Sequence, residues 1–375
     1  MNNFAIDTAK AADRDELLDL LLRAFKTRSP DHLPFDILYP DVFDPTDEAM
    51  GHHYIIRENG RITACVGSYP LDLQLGPVKL RVAGIGQVAC DVELRRGGRV
   101  TALLNHAISH MRDTLGCPLS WLGGRRDFYA KFGWERSGSI LLVDIDSQSL
   151  KHEPEDGWTV RQLDPTQQTV DLLWDLRNRQ PVRHIVTKRN WLLKLQRLGT
   201  EVWCAFHDGA ATLGAFAVAN RERKQLSEYT GTYTGIEAIL AELTKRHSNL
   251  QMQLAPGLDP DTEFFWDRSV RPGAVMSNML ILDLPALLGA YAPVIEPKLP
   301  PNAGVELVMT PWQSADIATA RLGTGVARLE LDPLRMARMV FGPAAPSALL
   351  QLPRELLWLD QIFPLPFRIP LNSYL

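Results

Sequence analysis

The sequence predicts an α/β protein with mixed sheets: two related α/β units in tandem, then a small α+β unit. Three observations carry that prediction. Val82–Cys90 is rich in β-formers, and Val100, Leu103, Leu104, Ala107, Ile108 and Met111 repeat with a helical period after an intervening Gly/Arg turn. The same order of strands and helices returns in weakened form beyond Trp158. A proline-rich stretch, Tyr291–Asn302, then opens a shorter third unit. A chain of 375 residues is long enough for two or three such cores.

The elements follow in order. Asp13-Arg14-Asp15-Glu16 reads as a capping box, with Leu17, Leu18, Leu21 and Phe25 along one helix face. Tyr54–Ile56, Ile62–Tyr69 and Lys79–Cys90 read as strands, separated by turn signals at Asn59-Gly60 and Gly76-Pro77. Leu119–Leu122 is a short strand ending in Gly123-Gly124. The polar stretch Ser147–Trp158 marks a boundary. Beyond it, Trp158–Leu163 is a strand, and Val170–Leu176 and Asn190–Leu198 are helices. Val202–Phe206 and Ala211–Ala219 form a hairpin around Asp208-Gly209. Strand Leu226–Thr230, helix Ile236–Arg246 and strand Leu250–Leu254 complete the second unit. In the third, Val305–Met309 and Val326–Leu331 are strands, and helix Leu334–Phe341 stops at Gly342-Pro343. The predicted units are 1–150, 151–290 and 291–375.

Composition narrows the function. A net charge of −4 argues against a nucleic-acid partner. No apolar run reaches membrane-span length and no signal-peptide pattern opens the chain, so no membrane partner is expected. Cys65, Cys90, Cys117 and Cys204 show no metal or redox spacing, which suggests reduced thiols in a cytoplasm and no metal cofactor. His184, His207 and His247 likewise lack ligand spacing, and His184 reads as a surface residue of a basic loop.

The chemistry concentrates at Arg95-Arg96-Gly97-Gly98-Arg99-Val100. Glycines at the mouth of a helix let backbone N–H groups close around an anion, and the helix dipole adds partial positive charge. No Gly-Lys-Ser/Thr follows and no Gly-x-Gly-x-x-Gly is present, which disfavours a P-loop or a dinucleotide fold. The stretch resembles the Gln/Arg-x-x-Gly-x-Gly/Ala loop of GNAT acetyltransferases, with Val100 where Gly or Ala is usual. About thirty residues on, Tyr129-Ala130-Lys131-Phe132-Gly133-Trp134 matches the Tyr-x-x-Phe-Gly-aromatic pattern of the same family.

That resemblance implies acetyl-CoA as co-substrate, held by Val88, Ala89, Cys90, Arg95, Arg96, Gly97, Gly98, Arg99, Val100 and Thr101. It also implies Tyr129 beside the thioester sulfur. In the second unit, Gly231-Thr232-Tyr233-Thr234-Gly235 stands in the loop's place without arginine, so that core is expected to have lost cofactor binding. Leu331–Gly342 and Leu359–Pro364 resemble a sterol-carrier-protein-like domain. Taken together the chain resembles the Eis (enhanced intracellular survival) family. Membership implies an amine acceptor, such as an aminoglycoside, a polyamine or a lysine. It further implies a homo-oligomer, often a hexamer, and a C-terminal carboxylate, here that of Leu375, acting in the first unit's active site. Two other readings are a non-catalytic acyl-CoA sensor or scaffold, and a lipid carrier working through the third unit.

Overall fold

The computed structural model describes residues 4–370 apart from 28, 149–155, 208–211, 256, 260, 267–268, 274–276, 313 and 315. The chain opens with strand β1 (Ile6–Thr8), helix α1 (Arg14–Lys26) and two single-turn helices, α2 (Phe35–Leu38) and α3 (Asp47–Met50). Strands β2 (His53–Glu58), β3 (Arg61–Leu75) and β4 (Val78–Cys90) form a meander. Asn59 and Gly60 join the first two with φ of 51° and 77°, the paired positive values a tight hairpin needs. Then come α4 (Arg99–Asp113), β5 (Leu119–Leu122), α5 (Arg126–Tyr129), β6 (Glu135–Arg136) and β7 (Ile140–Ile145).

The capping box expected at Asp13 does not form. A short 3-10 turn, Ala11–Asp13, precedes α1, so Asp13 already has helical backbone angles and its carboxylate accepts from the Lys10 N–H at 2.9 Å. Glu16 instead accepts from the Ile62 N–H at 2.8 Å, and both acids pair with Arg57. The helix is thereby tied to the hairpin. It buries Leu17, Leu20, Leu21 and Ala24 on one face of the first sheet. On the opposite face α4 buries Leu103, Leu104, Ala107, Ile108 and Met111, as the helical period predicts.

The next elements are β8 (Thr159–Leu163), α6 (Gln167–Arg177), β9 (Val182–Ile185), α7 (Lys188–Leu195), β10 (Thr200–His207), β11 (Thr212–Asn220) and β12 (Gln225–Gly231). They are followed by α8 (Tyr233–Arg246), β13 (Leu250–Leu254), α9 (Thr262–Trp266), β14 (Ser269–Gly273) and β15 (Asn278–Ile281). The Asp208-Gly209 turn lies outside the described residues. The last stretch holds α10 (Leu284–Ala290), α11 (Ala292–Ile295), β16 (Gly304–Met309), β17 (Ala318–Gly323), β18 (Ala327–Glu330), α12 (Pro333–Phe341) and α13 (Pro346–Leu349).

Three sheets result. The first is eight-stranded, ordered β1-β2-β3-β4-β5-β15-β6, with β9 also paired to β3. The second runs β14-β7-β13-β12-β11-β10-β8, and the third β17-β16-β18. Strands thus cross between stretches of sequence: β7 joins the second sheet, and β9 and β15 join the first. The β3 strand also outruns the expected Tyr69 end. Its Gly67 is the last partner of β2, and β9 takes over at Asp72. Pro70, which has no N–H to give, falls in the gap between the two partners. Pairing through β9 buries His184, contrary to the surface position expected of it. Its carbonyl accepts from Arg177 at 2.9 Å, and burial holds its imidazole well below the ordinary histidine range.

A buried ion cluster joins the first two layers. Asp41, in the segment after α2, accepts from Arg197 at 2.7 and 2.6 Å and from Lys194 at 3.1 Å, and all three side chains are buried. Burial alone would raise the Asp41 carboxyl, but the two cations outweigh it and push it well below the usual range. A carboxyl depressed in the folded state stabilises fully above its unfolded value, about pH 4, and that contribution is lost progressively as pH falls. Asp41→Asn leaves two buried cations short of a counter-charge. It should cost about 3–5 kcal/mol in denaturant unfolding at neutral pH, and the gap to wild type should narrow as pH drops below about 4.

Candidate active site

Strand β4 carries the site, and two local features of the sequence set it apart. The first is a bulge. Cys65 pairs with Ala89 and Gly67 with Gly86, so Gln87 and Val88 together face Val66. Gln87 takes a φ of 47°, which reverses the pleat locally. The second is a parting of strands. Parallel pairing between β4 and β5 covers Val82–Ile85 against Leu119–Leu122, whereas β4 runs on to Cys90. The backbone from Gly86 to Cys90 therefore faces an opening rather than a partner strand.

Beyond β4 the chain makes a 3-10 turn, Val92–Leu94, and enters α4 through Gly98. Arg96 and Gly98 both have positive φ, 67° and 87°. Gly98 is the N-cap and has no side chain to satisfy the first N–H groups of α4, and no acid stands in the first turn. The result is a free, positively polarised helix mouth. The three arginines differ in their engagement. Arg99 binds Glu58 through two bonds of 2.6 and 2.8 Å and donates to the Leu94 carbonyl at 3.1 Å. Arg95 donates to the Ala24 carbonyl and Thr27 hydroxyl at the end of α1, at 3.3 and 3.2 Å. Arg96 is exposed and makes no ion pair among the described residues.

A cavity of about 670 Å³ lies between this loop, β4 and α5. Its walls include Val88, Ala89, Cys90, Arg95, Arg96, Gly97, Gly98, Arg99, Val100, Thr101 and Tyr129. The structure thus brings together every described residue expected to hold acetyl-CoA, together with Tyr129; Leu375 lies outside the described residues. Ala24, Phe25, Leu94, Arg125, Asp127, Phe128 and Lys131 complete the wall. Of these only Lys131 falls inside a motif, at a variable position; the others come from the end of α1, the turn before α4 and the start of α5. Burial pushes the Cys90 thiol up, so it serves as a small neutral lining group.

Tyr129 reaches the cavity from the end of α5. Gly124, with φ of 121°, allows this: a Cβ there would sit 2.9 Å from the Tyr129 ring. Phe128 and Trp134 meet the ring edge-on, with centroids 4.9 and 6.1 Å away. Glu135 fixes the helix from below. Its buried carboxylate accepts two bonds from Arg126 at 2.6 and 2.5 Å and one from Arg338 of α12 at 2.9 Å. Burial would raise this carboxyl, but the arginine hydrogen bonds outweigh it and hold it below its ordinary value.

The start of α8 in the second sheet differs from that of α4 in being capped by a side chain. The Thr232 hydroxyl accepts from the Gly235 N–H at 3.2 Å, and Trp158 lies against Gly214 and Gly235. Among the described residues, no group of three or more His, Cys, Asp or Glu is placed to hold a metal ion, and no helix is long and apolar enough to cross a membrane.

Residues 5–137 match the acetyltransferase (GNAT) domain family model. The N-terminal region is a GNAT acetyltransferase domain, and the chain is an enzyme. Solved structures extend the likeness over the whole chain. A protein of unknown function from Enterococcus faecalis, described as a probable N-acyltransferase, aligns with a TM-score of 0.68 at 15% identity, over 96% of this chain and 97% of its own. A GCN5-related N-acetyltransferase from Anabaena variabilis aligns at 0.67 and 15%, over 96% of each chain. Eis1 from Mycobacterium abscessus aligns at 0.66 and 12%, over 99% of this chain and 100% of its own. At these identities the likeness is one of fold. No curated protein matches the chain in sequence.

Glu135 ties α5 to α12 across the molecule. Glu135→Ala removes three bonds from arginine side chains and one from the Arg136 N–H but leaves two half-exposed arginines, so the loss should be about 2 kcal/mol in denaturant unfolding. The same variant should increase hydrogen exchange in α5 while leaving α4 protected. Unchanged exchange around Tyr129 would remove Glu135 as the support of that helix.

Proposed function

We propose that the GNAT domain transfers acetyl from acetyl-CoA to a primary amine by direct attack in a ternary complex. The observation that carries this reading is the single cavity shared by the Gly98 helix mouth, the end of β4 that has parted from β5, and Tyr129. Its volume lies within the usual range of small-molecule sites, about 300–1,000 Å³. The helix mouth and Arg96 suit a diphosphate, and the open backbone of Gly86–Cys90 suits the amide-bearing pantetheine arm.

The chemistry follows from these positions. The neutral amine nitrogen attacks the thioester carbonyl carbon, a C–N bond forms, and the C–S bond breaks. Backbone N–H groups around Val88 stabilise the oxygen that gains charge. Tyr129 donates a hydrogen bond or its proton to the departing sulfur. Ordinary pKa values of about 10 for the phenol and 8.5 for the thiol make full transfer uphill, so donation is the larger part of its role. The amine's proton goes to the carboxylate of Leu375, which also attracts a cationic acceptor. In this reading the second core shapes and supports the site, and the third, sterol-carrier-like unit presents the tail.

Two variants test the proposal with acetyl-CoA calorimetry and a CoA-release assay across a panel of amines. Gly98→Val forces a β-branched residue to φ near +87°, so acetyl-CoA affinity should fall at least about tenfold with the fold retained. Tyr129→Phe keeps the ring contacts, so binding should hold while kcat drops about tenfold or more. Tight CoA binding without turnover on any amine would replace the transferase reading with that of an acyl-CoA sensor.

A further inference from the structure

A buried polar chain runs beneath the β4 bulge, on the face covered by α1, and takes no direct part in the chemistry above. Gln87, Tyr69 and His53 are 6%, 5% and 0% exposed. Tyr69 Oη lies 2.6 Å from the Gln87 carboxamide and 2.8 Å from His53 Nε2. His53 Nδ1 lies 3.0 Å from the Met50 carbonyl. Burial pushes the His53 imidazole down to about 4, so it is neutral near pH 7 and carries one proton. A carbonyl can only accept, so that proton sits on Nδ1, and Nε2 must accept from the Tyr69 hydroxyl. The carboxamide atom placed at 2.6 Å is Oε1, but one hydroxyl proton cannot serve two acceptors, so the amide is assigned the flipped orientation, with its NH2 toward the Tyr69 oxygen. Every donor points one way: Gln87 to Tyr69, Tyr69 to His53, His53 to the Met50 backbone.

The position of Gln87 gives this chain its consequence. Gln87 is the positive-φ residue of the bulge, and Val88 and Cys90 on its far side line the cavity. A glutamine at φ 47° has no intrinsic preference for that state and stays there only if its surroundings hold it. Gly67, the neighbouring partner on β3, makes the arrangement possible. A Cβ on Gly67 would lie 2.0 Å from the Tyr69 hydroxyl. We propose that Tyr69, held by His53, is a positioning residue that locks the Gln87 bulge and thereby aims the Val88–Cys90 backbone at the acyl carbonyl.

This inference rests on the acetyl-CoA reading above, and its test separates the two. The probe is acetyl-CoA carrying a 13C label at the thioester carbonyl, followed by infrared difference spectroscopy. Affinity for CoA, which lacks the acyl group, is measured in parallel. Wild type should bind both and shift the carbonyl band to lower frequency. Tyr69→Phe, which strands the Gln87 amide and His53 Nε2 without a partner, should lose that shift. Its CoA affinity should stay within about twofold, because the helix mouth is untouched. Gly67→Ala reaches the same end by displacing the hydroxyl and keeps the test alive should Tyr69→Phe not fold. Intact CoA binding certifies the fold of either variant. A carbonyl band shifted in the variants as in wild type, or unshifted in wild type, overturns the positioning role. Failure of wild type to bind CoA at all overturns the acetyl-CoA reading instead.

Discussion

The parting of β4 from β5 is the constraint on which the rest of the molecule depends. Backbone N–H and C=O groups that leave a sheet must find water, a ligand or another strand. Here β5 is only four residues long, all buried, and its pairing with β4 ends at Ile85 and Leu122. On its other edge β5 is covered by β15. The remaining length of β4 is held by β3 alone, and the bulge at Gln87 turns that stretch away from the regular pleat. The opening is therefore a consequence of strand length and register.

Charge around the opening is arranged less simply than three neighbouring arginines suggest. Arg99 is neutralised by Glu58, and that pair fastens the loop to the β2–β3 hairpin. Arg95 is tethered to the end of α1 through one nitrogen, Nη2, bonded to neutral acceptors, and it keeps its charge. Attraction for an anion therefore falls to the uncapped N–H groups of α4, to Arg96 and to the tethered Arg95. Those backbone donors are fixed in place by the helix, whereas exposed guanidinium groups are screened by salt over about 8–10 Å. On the acetyl-CoA reading proposed above, loop shape would therefore outweigh the arginine count, which is why the test of that reading is placed at Gly98.

Local pattern explains what could be read from the sequence and what could not. The helical period of Val100–Met111, the β-rich run before it and the Tyr129–Trp134 pattern are contiguous, so the cavity's principal walls were legible. Pairing between distant segments was not. β9 and β15 are four residues each and β6 is two, too short for periodicity to mark, and their partners lie far away in the sequence. His184 was misjudged for this reason: its basic neighbours suggest solvent, and only pairing with Leu73 shows it to be interior. At Asp13 the motif was present, but the 3-10 turn before α1 and the pull of Arg57 gave its acids other partners. The Gln87 bulge left no sequence signal, since glutamine is an unusual choice for positive φ.

The same non-local pairing makes the catalytic unit depend on the whole chain. Residues 5–137 match the acetyltransferase model, yet β5 would present a bare edge without β15, and Glu135, which holds α5, would lose one of its two arginine partners without α12. An exposed edge strand invites association with other chains, and β15 removes that hazard only after some 280 residues have been made. Contacts at such separation are slow to form, because loop closure precedes any stabilisation they supply. The packing agrees: one continuous apolar cluster runs from Leu71–Val82 of the first sheet through Met279 and Ile281 of β15 to Met336–Phe341 and the tail at Phe363–Ile369. The opening at the parted strands is braced by residues from every part of the sequence. Its geometry is therefore a property of the assembled chain rather than of the segment that bears the motif.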